Sequence, residues 1–165
     1  MSRARAAIGS VVFLFVAPGV AAGLVPWLIT GWSADEWWLP ARVLGGLMIG
    51  CGLAVLLPAF IRFVVEGIGT PAPIRAPERL VVGGSYRHVR NPMYLAVAAV
   101  IVGQALLLGQ AVLLPYAAAF GLAVAAFVHG YEEAVLLRRF GPQYESYKRA
   151  VPAWFPRRRP WEPEE

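Results

Sequence analysis

The sequence predicts an all-α, polytopic membrane protein with about four transmembrane helices and a C-terminal interfacial amphipathic helix. Two observations carry this reading. Apolar residues make up 58% of the 165-residue chain and charged residues only 15%, with a mean hydropathy of +0.58. Water-soluble domains carry about 25% charged residues. The charges are also clustered, leaving uncharged runs long enough to cross a bilayer. This composition excludes a disordered chain, a nucleic-acid-binding arm and a disulfide scaffold. The single cysteine, Cys51, leaves no intrachain disulfide and reads as a small packed side chain. The length fits one integral-membrane domain, residues 1–165.

The first span covers 6–28, and no charge follows Arg5 until Asp35. Arg3, Arg5 and Val20-Ala21-Ala22 resemble a signal peptide, but the uncharged run continues past Pro26, which favours a retained helix. The second span, 43–61, is bracketed by Arg42 and Arg62. Residues 91–131 hold no formal charge, about twice a span length, and read as two helices, 92–108 and 111–138. Gly109-Gln110 supplies the turn, with Pro115 early in the second helix. The third span is short and calls for local bilayer thinning.

Charge asymmetry sets the orientation. Arg3 and Arg5 precede the first span. The first connection carries Asp35 and Glu36 with Trp32, Trp37 and Trp38, an aromatic belt. The second, the motif loop 62–91, carries Arg62, Arg75, Arg79, Arg87 and Arg90 against Glu66 and Glu78. The third has no charge, and the C-terminal segment 139–165 is basic again. Basic residues thus fall on alternate connections, placing both termini in the cytoplasm of an inner-membrane protein. The excess positive charge meets anionic headgroups, with no nucleic acid required. Within the loop, Gly67-Ile68-Gly69-Thr70-Pro71-Ala72-Pro73 reads as a non-helical strip. Tyr144, Tyr147 and Val151 recur at helical spacing, predicting an amphipathic helix that lies against the headgroups with Trp154 and Phe155.

Two polar clusters stand where apolar residues would be cheaper. In Gly84-Ser85-Tyr86-Arg87-His88-Val89-Arg90-Asn91-Pro92-Met93-Tyr94, Asn91 reads as a helix N-cap and Pro92 as the first helical position. The helix start offers N–H groups to an anion, Arg87, His88 and Arg90 add positive charge, and Tyr86 and Tyr94 offer faces to a cation. The second cluster, His129-Gly130-Tyr131-Glu132-Glu133, lies near the cytoplasmic end of the fourth span. Its two acids point about 100° apart, so one faces the bundle and the other is solvated or pairs with Arg138 or Arg139. An ionisable group within a span is costly and points to function. Together the clusters fit a ligand with a carboxylate, an ammonium and a second cation, of which S-adenosylmethionine is one. Two histidines without a neighbouring cysteine argue against zinc.

The string 84–94, then Glu132-Glu133, then Phe140-Gly141-x-x-Tyr144-x-x-Tyr147-Lys148 and Val151-Pro152, resembles the isoprenylcysteine carboxyl methyltransferase family. Its wider relatives include phospholipid methyltransferases. The likeness covers roughly residues 69–156. It implies an integral-membrane methyltransferase that uses S-adenosylmethionine in a pocket between the last spans, covered by the C-terminal segment. By position, the resemblance assigns Glu78, Arg79, Leu80, Val81, Tyr86, Asn91, Pro92, Met93, Tyr94 and Glu132 to the cofactor site. The family histidine is Asn91 here, a glycine after the motif tyrosine is Ala96, and the arginine that meets a prenylcysteine carboxylate is Val128. The implied partner is a lipophilic, membrane-resident acceptor bearing a carboxylate, thiol or amine. Glu133, His88 and Arg90 are candidates for catalytic roles. A non-catalytic scaffold, a permease-like module and a relative without activity are the competing readings. The spans hold little polarity beyond Gln104, which weighs against transport. Gly45-Gly46 and Gly50-x-Gly52 are suited to close helix packing within one chain or between chains.

Overall fold

The computed structural model describes Val12, residues 15–65 and residues 79–162. Among these, all regular structure is helical. A π-helical turn, Val20–Leu24, leads into α1 (Val25–Thr30). Then come α2 (Leu39–Val65), a 3₁₀ turn (Gly84–Arg87), α3 (Pro92–Leu108) and α4 (Leu113–Phe127). A second π turn, Val128–Glu132, joins α4 to α5 (Glu133–Phe140), and α6 (Pro142–Ala150) follows. Two helices are long and apolar enough to cross a membrane, Leu39–Arg62 and Leu113–Phe140, while Val20–Thr30 and Pro92–Leu108 are shorter apolar helices. The strip at 67–73 lies outside the described residues.

α3 is the central rod and packs most closely on α2. Glycines set that closeness. A β-carbon on Gly45 would stand 2.5 Å from the Gly103 carbonyl oxygen and from the Leu107 nitrogen, and one on Gly52 would stand 2.9 Å from the Ala96 oxygen. The two backbones therefore touch where small residues coincide. Gly46 and Gly50 face open space instead. Leu56 and Phe60 of α2, Ala96, Val97 and Ile101 of α3, and Leu113 and Ala117 of α4 form the core, with Ala21 and Ala22 against it. Outward, α2 exposes Leu44, Leu47, Leu57 and Ile61, and α4 exposes Leu114 and Leu122. Cys51 is also exposed and not the packed side chain its sequence context predicts, because it lies on the face of α2 turned away from α3.

Gln104 has a structural explanation. Pro26 lacks an N–H, so the carbonyl of Ala22, one turn earlier, has no α-helical donor. The Gln104 amide donates to that oxygen at 2.6 Å, and Trp32 Nε1 donates to Gln104 Oε1 at 3.1 Å. Tyr116 Oη donates to the neighbouring Ala21 oxygen at 2.7 Å. The π turn and the proline thus open carbonyls that α3 and α4 close. At the same end of the bundle, the turn after α3 is made by Gly109 (φ +73°), whose absent side chain leaves room for Trp37. The Asp35 N–H and Trp37 Nε1 bond the Leu108 and Leu106 carbonyls, binding the acidic connection to this turn.

At the other end the chain bends at Gly141 (φ +50°, ψ −126°) into α6. The spacing of Tyr144, Tyr147 and Val151 does produce an amphipathic helix, but its apolar face is not left for headgroups. All three side chains are buried against Leu80, Val82, Leu136, Phe140 and Trp161. Burial pushes the phenol pKa of Tyr147 above its ordinary value, and that of Tyr144 likewise. Phe155 remains exposed beyond the helix.

Candidate functional site

A cavity of about 300 Å³ lies at this same end of the bundle, between the start of α3 and the π turn that ends α4. Its polar end is formed by Tyr86, Arg90, Asn91, Tyr94 and Glu132. Its apolar walls come from Ala17, Pro18 and Ala21 ahead of α1, Phe60 of α2, Met93 and Val97 of α3, and Phe120, Val124 and Phe127 of α4. Such a size lies at the lower end of small-molecule pockets.

The π turn decides which residue faces the cavity. Phe120, Val124 and Phe127 follow α-helical spacing along one face. Continued as an α-helix, that face would next present Tyr131. The wider turn brings Glu132 onto it instead and leaves Tyr131 exposed. Glu132 Oε2 accepts a 3.0 Å hydrogen bond from Tyr94 Oη. Among the described residues no basic side chain pairs with Glu132. A half-buried carboxylate thus faces a cavity ringed by the aromatic side chains of Phe60, Tyr86, Tyr94, Phe120 and Phe127. Both features favour a cation.

Glu133 differs. It is buried and ion-paired twice, with Arg90 Nη1 at 2.7 Å and Lys148 Nζ at 2.6 Å, and His129 Nδ1 lies 3.6 Å away. The sequence offered Arg138 or Arg139 as partner to one of the two acids. Both arginines are exposed, and the partners come from α6 and from the loop ahead of α3. Glu133 does not line the cavity, and neither does His88, whose Nδ1 donates to the Arg157 carbonyl at 2.9 Å. Arg90 does line it, but its guanidinium is held by Glu133, by Tyr144 Oη at 3.0 Å and by the Val151 carbonyl at 3.0 Å.

Asn91 occupies the N-cap position and Pro92 the first helical one, but the Asn91 side chain makes no capping bond. Its amide donates to the Ala153 carbonyl at 3.2 Å, because the C-terminal segment lies across this corner. The first backbone bond of α3 runs from the Leu95 N–H to the Asn91 oxygen. Met93 and Tyr94, which line the cavity, precede it in the first turn, where helix N–H groups have no intrahelical acceptor. Tyr86 sits on the 3₁₀ turn, its carbonyl accepting from Tyr147 Oη at 2.7 Å.

Of the residues expected at a cofactor site, Tyr86, Asn91, Pro92, Met93, Tyr94 and Glu132 meet around this one cavity. Val81 is buried with Ala59 and Tyr86 behind its wall, Leu80 packs on α6, and Arg79 is exposed. Glu78 lies outside the described residues. Sequence reasoning misses the aromatic wall of α4 and the tie from Lys148. The spacing of Phe120, Val124 and Phe127 on the face leading to Glu132 was the available signal for the first. Val128, at the position of a carboxylate-binding arginine, is 2% exposed and packed away from the cavity.

Comparison with known proteins supplies three findings. Residues 40–143 match the phospholipid methyltransferase family. The chain is 32% identical over 132 residues to a nickel-cobalt-cadmium resistance protein, NccN, of Alcaligenes xylosoxydans xylosoxydans, an alignment covering 79% of this chain and 58% of that protein. The chain therefore spans little more than half the length of this curated relative. No solved structure matches.

Proposed function

The chain belongs to the phospholipid methyltransferase family, and on that premise we propose that it transfers a methyl group from S-adenosylmethionine to a lipophilic acceptor held in the membrane. The observation that carries this reading is Glu132, a half-buried carboxylate without a basic partner among the described residues, facing an aromatic-lined cavity. It suits the ammonium of the donor. The N–H groups of Met93 and Tyr94, at the positive end of the α3 dipole, suit the carboxylate. The faces of Tyr86, Tyr94 and Phe60 suit the charged sulfur. When bound, S-adenosylmethionine supplies an activated methyl. The protein's part is to align the reacting groups and exclude water, which the apolar walls do.

In this reading the helices that begin at Val20, Leu39, Pro92 and Leu113 belong to four spans, with both termini on the cytoplasmic side of the inner membrane. The apolar end of the cavity, between the segment ahead of α1 and α4, admits an acceptor sideways from the bilayer. A thiol or amine acceptor fits better than a carboxylate. Val128 supplies no cation, and the Arg90 guanidinium already has three acceptors. The test is transfer of a labelled methyl group from S-adenosylmethionine into a membrane lipid extract by the purified protein, with mass spectrometry of the product. Label in a lipid, lost in Glu132→Gln, supports the reading. No transfer, with no saturable donor binding, refutes it.

A further inference from the structure

The loop ahead of α3 and the chain after α6 are joined by a run of backbone and side-chain bonds. Arg90 N–H donates to Pro152 O at 2.9 Å, Arg157 N–H to His88 O at 2.9 Å, and Trp161 N–H to Arg87 O at 2.9 Å. The residue numbers rise along one segment as they fall along the other, so the two segments lie antiparallel. Three successive carbonyls, those of Val151, Pro152 and Ala153, accept from Arg90 Nε, Arg90 N–H and Asn91 Nδ2. Arg90 and Asn91 are also cavity wall. The tail therefore determines where this part of the wall stands.

Beside the apolar contacts of α6, Glu133 ties the tail to the bundle through charge. One oxygen holds Arg90 of the loop and the other holds Lys148 of α6, at 2.7 and 2.6 Å. Glu133 itself belongs to α5, one residue after the cavity acid. A single buried carboxylate thus links three separate pieces of chain around the polar end of the cavity. We propose that Glu133 is a positioning residue. Acting through Arg90 and Lys148, it clamps the C-terminal segment onto the start of α3 and so sets the geometry of the methyl-donor site without touching the donor. This inference rests on the methyl-donor reading for its ligand, but the clamp is defined by the geometry alone.

Two readouts separate the clamp from that reading. In the first, binding of S-adenosylmethionine to the full chain in detergent is measured for the unaltered protein, Glu133→Gln, Lys148→Met and Lys148→Arg. Coupling within one such network spans about 2- to 150-fold. Glu133→Gln and Lys148→Met should each weaken binding by roughly tenfold, Lys148→Arg should restore most of it, and in turnover the donor KM should rise more than kcat falls. In the second, hydrogen exchange of peptides covering residues 151–161 should accelerate in Glu133→Gln and Lys148→Met, with or without donor. Lys148 is half exposed, so its variants stand in for Glu133→Gln should that protein not fold. Native donor affinity in Lys148→Met, or unchanged exchange of the tail, overturns the clamp. A fall in kcat at unchanged KM also overturns it, since it would assign Glu133 to the chemistry. Absence of donor binding by the unaltered protein refutes the methyl-donor reading instead, and the exchange readout then judges the clamp by itself.

Discussion

Gly45→Ala tests the packing that positions the site, and Gly46→Ala is its control. The two glycines are adjacent on α2 and share the same change in backbone freedom. They differ in what a new methyl group meets. At Gly45 it would stand 2.5 Å from the Gly103 oxygen and the Leu107 nitrogen, whereas at Gly46 nothing lies within 4 Å. Ordinary contact at a β-carbon begins at 3.4 Å, so α2 and α3 must part by about 1 Å, and both obstacles are backbone that no rotamer change can move. Overpacking of this kind costs about 1–3 kcal/mol. Because α2 supplies Phe60 and α3 supplies Pro92, Met93, Tyr94 and Val97 to the cavity, the same displacement should weaken ligand binding. Unfolding in detergent, followed by circular dichroism, should show Gly45→Ala destabilised by about that amount and Gly46→Ala at or above the unaltered protein. Equal responses at the two positions would refute close backbone packing as the basis of the α2–α3 contact.

Gln104→Leu should cost about 1–2 kcal/mol in the same assay, since it leaves the Ala22 carbonyl and the Trp32 indole without their partner. Tyr147→Phe should cost a similar amount by leaving the Tyr86 carbonyl without its 2.7 Å donor. Burial raises the Tyr147 pKa above the value of about 10 expected in the unfolded chain. Its contribution is therefore complete below pH 10 and is lost as pH climbs from there toward the raised folded value. A titration of stability above pH 10 should fall less steeply for Tyr147→Phe than for the unaltered protein.

The parts legible in the sequence are those fixed by local patterns. Asn91-Pro92 and Gly109 mark the ends of α3, and the helix runs between them because proline presets the first turn and glycine takes the left-handed exit. Tyr94 and Glu132 are brought together by two neighbouring apolar rods. The missed parts depend on non-local partners. An apolar stripe on α6 reads the same whether lipid headgroups or Leu80 and Trp161 will cover it. Asn91 is a good cap by residue type, yet its amide is taken by Ala153, 62 residues away. The π turn at Val128–Glu132 has no periodic signature, so α-helical spacing does not reveal that Glu132 takes the place Tyr131 would hold on the cavity face. The packing of Gly45 and Gly52 but not Gly46 or Gly50 follows from how α2 is rotated against α3.

Glu132 is proposed to hold the ammonium of a methyl donor. Equilibrium binding of radiolabelled S-adenosylmethionine to the purified protein in detergent, beside Glu132→Gln, measures it most directly. Saturable binding is expected, weakened by about tenfold or more in the variant through loss of a charge-assisted bond of about 1.5–3 kcal/mol. Equal affinity of the two proteins, or no saturable binding by either, would contradict it.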